Sequence, residues 1–231
     1  PPTSFRGMNQ PMSVSQDYSA DLLYHVILLR HGESIGNAEG YHQGQSDFPL
    51  TENGRKQARA VARRWRREAL AFQGVVSSPL LRARETGEII SGTLKAPLEL
   101  DADWMERDNG LLSGLRPDEA AQVYPRPTFI HPYQPIGSTG ESQWELFLRA
   151  GLALQRLLER PPGRYLVVSH GGILNMVMYA ILGIPVQANF TGPRFRFGNT
   201  AFATLTYAPA EHKWTLYGLN DCSHWAGPAA P

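Results

Sequence analysis

Cysteine is almost absent from this chain. Cys222 is the only one in 231 residues, which excludes an intrachain disulfide and any cysteine-based metal cluster. A lone thiol fits a reducing compartment, and a cytoplasmic protein is the expectation. The sequence also lacks any apolar run of the roughly 20 residues that a membrane-spanning helix needs. Its first residues lack the charged-then-apolar layout of a signal peptide. Net charge is missing too: 22 Lys and Arg against 21 Asp and Glu leave +1, so no global field points to nucleic acid or to a membrane surface. The basic run Arg63, Arg64, Trp65, Arg66, Arg67 lies inside an amphipathic pattern and reads as a solvated helix face rather than a nucleic-acid patch. No Gly-x-Gly-x-x-Gly follows the first predicted strand, which removes dinucleotide binding.

What is present suffices for a substantial core, since 42% of the residues are hydrophobic. Residues 1–20 are rich in Pro, Ser, Gln and Asn without an apolar period, and predict a mobile tail before a single domain over 21–231. Tyr24–Leu29 and Tyr165–Ser169 are short apolar runs of the kind that form buried strands. Further strands are expected at Val75–Ser77, Leu98–Leu100, Thr200–Tyr207 and Lys213–Leu219. Helices are expected from Gly54 to Leu70 behind a Thr51 cap, after Ser78-Pro79 with the proline near the first turn, over Ser142–Glu159, and from Gly171 to Leu182. Residues 101–140, with many Pro and Gly and little periodicity, read as a lid-like excursion over the core. The alternation predicts a three-layer α/β/α sandwich with a mostly parallel central sheet.

In such sheets ligands bind beyond the carboxyl ends of the strands, and His31 and His170 each follow a strand at that end and precede a glycine. A phosphoryl group needs positive charge and several donors around its oxygens. Arg30 supplies one guanidinium, and Arg82 or Arg84 a second. Departure of the leaving group calls for a general acid, for which Glu106, Asp108, Glu33 and Glu141 are candidates.

These residues, in this order, resemble the histidine phosphatase superfamily, in the branch that holds cofactor-dependent phosphoglycerate mutases and related broad-specificity phosphatases. Arg30-His31-Gly32-Glu33-Ser34 with Asn37 resembles the opening signature. Gln43-Gly44, Asp47, Pro49-Leu50-Thr51, Gly54 and Gln57-Ala58 resemble the stretch after it. Ser77-Ser78-Pro79-Leu80 with Arg82-Ala83 and Thr86-Gly87 resembles a third element. Glu106, Gly110 and Gly114 keep the spacing of a fourth, and Gly140-Glu141-Ser142 with Arg149 resembles a fifth. Val168-Ser169-His170-Gly171-Gly172 resembles the second histidine motif.

The resemblance implies that His31 attacks phosphorus and carries the phosphate as a phosphohistidine. It implies that Arg30, Asn37, Arg82 and His170 surround that phosphate, and that Glu106 is the general acid and base. Spacing to the two glycines prefers Glu106 over Asp108. The carbonyl of Gly32 is expected to hold the non-attacking nitrogen of His31. Trp104 and Met105 are expected to pack beside the acid and give it an apolar setting. Gln43, Gly44, Arg107 and Tyr133 are candidates for a substrate rim, and Arg107, Arg116 and Arg126 for holding a second anionic group.

The expected activity is a metal-independent, cofactor-free phosphatase acting on a small phosphorylated metabolite. Phosphoglycerate mutase is the alternative, and a non-catalytic phospho-ligand sensor or scaffold the alternative of another class. Phosphatase is preferred over mutase because Gly36 precedes Asn37, Asp108-Asn109 follows Glu106-Arg107, and Gly172 follows Gly171, where the mutase pattern has Trp, His-Tyr and Asn. A homodimer is left open.

Overall fold

The computed structural model describes residues 22–225, so the predicted tail lies outside the described residues. Six strands form one sheet: β1 Tyr24–Arg30, β2 Gly74–Ser77, β3 Leu98–Leu100, β4 Arg164–Ser169, β5 Phe202–Ala208 and β6 Lys213–Asp221. Their order is β3-β2-β4-β1-β5-β6, with β3, β2, β4 and β1 mutually parallel. Only β5 runs against the rest, pairing antiparallel with both β1 and β6. The mostly parallel sheet expected from the sequence is therefore present, closed on one side by an antiparallel pair.

Side-chain alternation splits the core into two layers. Val26 and Leu28 of β1, Val76 of β2 and Tyr165 and Val167 of β4 face one way. There they pack against α5 (Gln143–Leu158) and α6 (Gly171–Leu182) through Leu146, Ala150, Ile173 and Val177. Ile27, Leu29, Val75, Leu166 and Val168 face the other way, onto α2 (Glu52–Arg67) and α3 (Leu81–Leu94) through Val61, Trp65, Ala83 and Ile90. Because β1 and β4 are covered on both faces, their sequences are nearly continuous apolar runs rather than alternating ones. The basic residues of α2 flank the buried Trp65, as an amphipathic helix requires.

The helix ends depart slightly from expectation. The Thr51 hydroxyl accepts from the Gly54 amide, a cap of the kind that contributes about 1 kcal/mol, and α2 begins at once and ends at Arg67 rather than Leu70. Pro79 does not sit in the first turn of α3, because Leu80 is the cap residue. The excursion is more ordered than its composition suggested: it holds three 3₁₀ turns and α4 (Pro117–Val123), with proline at the N-terminus of α4. The remaining short helix is α1, Ile35–Ala38. Trp104 anchors the start of the excursion, fully buried in the core beneath α5 and α6. Among the described residues no helix is long and apolar enough to cross a membrane.

The pairing of β1 with β4 positions the two histidines. Arg30 at the end of β1 lies opposite Ser169 at the end of β4, and the His31 amide donates to the Ser169 carbonyl at 2.9 Å. His31 and His170 thus leave neighbouring strands at the same level.

Candidate active site

The rings of His31 and His170 lie 5.1 Å apart, tilted by 57°, and both side chains are buried. Nδ1 of His31 is 2.7 Å from the Gly32 carbonyl oxygen. A carbonyl only accepts, so Nδ1 carries the proton and Nε2 keeps its lone pair. Burial pushes the His31 imidazolium well below its ordinary pKa, and the charges of Arg82 and Arg30 push the same way against the pull of the Gly32 carbonyl. The ring is neutral at neutral pH, as a nucleophilic imidazole must be.

The loop holding His31 is fixed by close contact with α2 and α3. The Gly32 amide donates to Thr86 Oγ1, which in turn donates to the Arg82 carbonyl. Thr51 and Asn53 both donate to the Glu33 carboxylate, so that candidate acid is a structural clasp. A side chain at Gly54 would collide with the Glu33 carbonyl, which is why the helix start can approach so closely.

Three cationic or donor side chains converge on the same space. Arg30 donates from Nη1 to the Phe197 carbonyl, and Arg82 donates to the carbonyls of Ser46 and Gly44. Desolvation lowers the Arg82 pKa to about 10, which leaves it charged at neutral pH. His170 is also held neutral, chiefly by burial and then by Arg82. Its Nε2 lies 2.8 Å from Ser78 Oγ, which accepts from the Leu80 amide and whose own proton, without another acceptor among the described residues, is assigned to Nε2. That assignment puts the His170 proton on Nδ1. Nδ1 of His170, Nε of Arg30 and Nε of Arg82 are all buried and have no acceptor among the described residues. Buried donors of this kind are rare in folded proteins and mark strain or a ligand.

Glu106 arrives from the excursion at the N-terminus of α6. Its carboxylate accepts from the amides of Gly172 at 3.0 Å, Ile173 at 3.2 Å and Arg107 at 2.8 Å. α6 has no side-chain cap, so Glu106 occupies the place where free amides and the helix dipole favour an anion. The apolar setting expected for this acid is therefore wrong: Trp104 is turned into the core and the carboxyl oxygens meet backbone donors. A Cβ at residue 172 would push on Glu106 Oε1, the mobile end of that side chain, so glycine lets the carboxylate sit this close to the helix end. Asp108, the competing carboxyl, caps the Gly110 amide within the excursion. Glu141 forms a 2.6 Å ion pair with Arg149, which also donates to the carbonyls of Asp103, Met105 and Glu106 and so positions the acid from behind.

A model of the histidine phosphatase superfamily (branch 1) matches residues 26–221. The chain belongs to the histidine phosphatase superfamily. Similar proteins include the probable phosphoglycerate mutase GpmB of Cronobacter sakazakii, 36% identical over 211 residues that cover 88% of this chain and 96% of that protein. The counterpart from Citrobacter koseri is 37% identical over 214 residues, with the same coverage. Among solved structures, Bacillus stearothermophilus YhfR superposes with a TM-score of 0.74 at 27% identity, covering 87% of this chain and 98% of that one. A phosphoserine phosphatase mutant from Entamoeba histolytica, in complex with phosphoserine, gives 0.67 at 25% identity with the same coverage.

Within this histidine phosphatase, Asn37 is oriented by its amide oxygen, which accepts from the Ser34 amide and from Asn199 Nδ2. Asn199 carries no motif in the sequence, yet its Nδ2 also donates to the His31 carbonyl at 3.2 Å, tying the nucleophile to Asn37. Its only sequence signal is its place just ahead of β5, which is silent until β5 is known to pair with β1. Of the expected rim, Gly44 lines Arg82 through its carbonyl, Gln43 accepts from the Ser34 hydroxyl, and Arg107 follows the acid with its guanidinium 5.3 Å from the Phe190 ring centre. The ring contacts of Tyr133 are with His131 and Trp144, and it is 60% exposed, so nothing brings it to the histidines. Arg116 stacks on Tyr41 and faces Glu39, and Arg126 is exposed on the excursion.

The close approach of residue 172 to the acid can be tested by filling it. Gly172→Ala displaces the Glu106 carboxylate while leaving the fold intact. It should lower kcat about 100-fold on an alkyl phosphate and far less on p-nitrophenyl phosphate, whose leaving group needs no proton; equal, small losses would contradict the placement. Both histidines are neutral when folded but titrate at an ordinary 6.5 when unfolded, so stability is retained above that value and falls as pH drops below it. The melting temperature should therefore fall less steeply from pH 7 to pH 5 in His170→Gln than in the native protein, and equal slopes would contradict it.

Proposed function

We propose that this enzyme hydrolyses phosphomonoesters through a phosphohistidine on His31, without a metal ion. The observation that carries this reading is the set of three buried donors, on Arg30, Arg82 and His170, left without acceptors beside the bare Nε2 of His31. Three donors and two guanidinium charges match the oxygens and charge of a phosphoryl group. Asn37, its oxygen already occupied, presents its amino group from the loop.

In the first step the Nε2 lone pair attacks phosphorus, the ester P–O bond breaks, and Glu106 passes to the leaving oxygen the proton it has taken from a phosphomonoester that binds as its monoanion. The Gly32 carbonyl, bonded to Nδ1–H, supports the positive charge that develops on the ring. In the second step Glu106 takes a proton from water, the water oxygen bonds to phosphorus, and the N–P bond breaks to release phosphate. Arg30 and Arg82 stay charged throughout and cost no reorganisation. A cytoplasmic site of action is part of the proposal and rests on the single exposed thiol, Cys222.

Mutase activity is the second reading, favoured by the names of the relatives at 36% and 37% identity. It differs only in the acceptor: a sugar-acid hydroxyl takes the phosphoryl group in place of water. Against it, Asp108 and Asn109 are engaged within the excursion, Asp108 with the Gly110 amide and Asn109 with Arg107 Nε. The test is phosphate release from a panel of phosphomonoesters with chelator present, run beside 3-phosphoglycerate isomerisation. Release should exceed isomerisation and survive chelation. Faster isomerisation would establish the mutase, and chelator-sensitive release would overturn the metal-free mechanism.

A further inference from the structure

The turn from Gly198 to Ala201 holds the backbone of the nucleophile, and it does so from a strained conformation. Thr200 has a φ of +54°, in the left-handed region that a β-branched residue rarely enters. There its amide is shared between the carbonyls of Arg30 at 3.1 Å and His31 at 3.2 Å. Asn199 Nδ2 donates to the same His31 carbonyl and to Asn37 Oδ1. Strain of this kind persists only where the surroundings hold it, so whatever grips this turn bears on His31.

The grip comes from β6 and the residues after it. Asn220 Oδ1 accepts from the Gly198 amide at 2.8 Å. Beyond the strand end, His224 Nε2 lies 3.0 Å from Thr200 Oγ1. The Thr200 hydroxyl gives its proton to the Asn199 carbonyl at 2.7 Å, so the ring is assigned as the donor in that contact. His224 then carries its proton on Nε2 and keeps a bare Nδ1, buried and without a partner among the described residues. Burial pushes its pKa down to about 4, which leaves the ring neutral at neutral pH. The ring stacks on Phe202, with centres 6.2 Å apart and planes 22° from parallel, and the guanidinium of Arg64 on α2 lies 5.4 Å from the centre of the Phe202 ring. Arg64 also pairs with Asp221 and donates to the Ser223 hydroxyl, while Asp221 accepts from the Ser223 amide. The segment that presents His224 is thereby tied to α2.

We propose that His224 is a positioning residue: by donating to Thr200 Oγ1 it fixes the turn that holds the His31 backbone and Asn37 for attack on phosphorus. It acts through Thr200 and touches none of the reacting atoms. Without its bond, Arg82 and His170 still bind phosphate, but the nucleophile drifts, so transfer slows while ground-state binding persists. The inference rests on the phosphohistidine mechanism proposed above.

Release of p-nitrophenolate from p-nitrophenyl phosphate in a single turnover, with enzyme in excess, reads transfer to His31, a step that phosphatase and mutase share. Competition by inorganic phosphate reads binding. His224→Phe keeps a ring on Phe202 and removes the donor; it should slow transfer about tenfold and leave the inhibition constant for phosphate within about twofold. His224→Gln, whose amide nitrogen can donate in place of Nε2, should recover most of the rate. Thr200→Val removes the bond from the other side and should show the same loss, with nothing further lost when His224→Phe is added. A lower melting temperature with native transfer in His224→Phe, an equal loss of phosphate affinity, or additive losses in the double variant would overturn the positioning role and leave the phosphohistidine mechanism standing. Should His224→Phe fail to fold, slow transfer in Thr200→Val with near-native transfer in His224→Gln supports the role, and native transfer in Thr200→Val overturns it. No transfer to His31 in the native enzyme would overturn both.

Discussion

The hydrogen bond from His31 Nδ1 to the carbonyl of the next residue decides the tautomer, and the tautomer decides the chemistry. With the proton fixed on Nδ1, the only lone pair of the ring is on Nε2. That bond exists because residue 31 follows β1 directly and residue 32 is pinned to Thr86 of α3. The sheet supplies the second half of the arrangement, since the β1–β4 register sets His170 level with His31. A slip of one residue in that pairing would turn every buried side chain of β1 to the wrong layer. The core therefore enforces the geometry of the site as strictly as any contact within it.

Electrostatics and position divide the remaining work. Burial keeps both histidines neutral, while Arg30 and Arg82 remain cationic beside them. The site is thus positive without protonating its own nucleophile. Glu106 is held by the amide end of α6 rather than by an apolar pocket, and Gly172 leaves room for its carboxylate. The Arg149–Glu141 pair grips the backbone around Glu106, so a residue outside the pocket governs where that carboxylate sits.

Much of this is legible in the residues. The two-sided burial of β1 and β4 is visible as unbroken apolar runs, and the paired strand–His–Gly patterns mark the site. The choice of Glu106 over Asp108 comes from spacing to Gly110 and Gly114, and the structure places only Glu106 at α6. What escapes the sequence depends on long-range pairing. Asn199 reaches His31 only because β5 lies antiparallel to β1, and no local pattern announces that. Tyr133 resembles a rim residue because it is aromatic and sits in the excursion, yet it packs edge-on against Trp144 on α5.

Phosphate passes, on this mechanism, through Nε2 of His31. Mixing enzyme with a phosphomonoester, quenching in base within the first turnovers and mapping the modified peptide by mass spectrometry tests it directly. The expected result is an acid-labile phosphate on His31, absent from His31→Ala, which should also have lost all turnover. Phosphate found on another residue, or full turnover by His31→Ala, would contradict it.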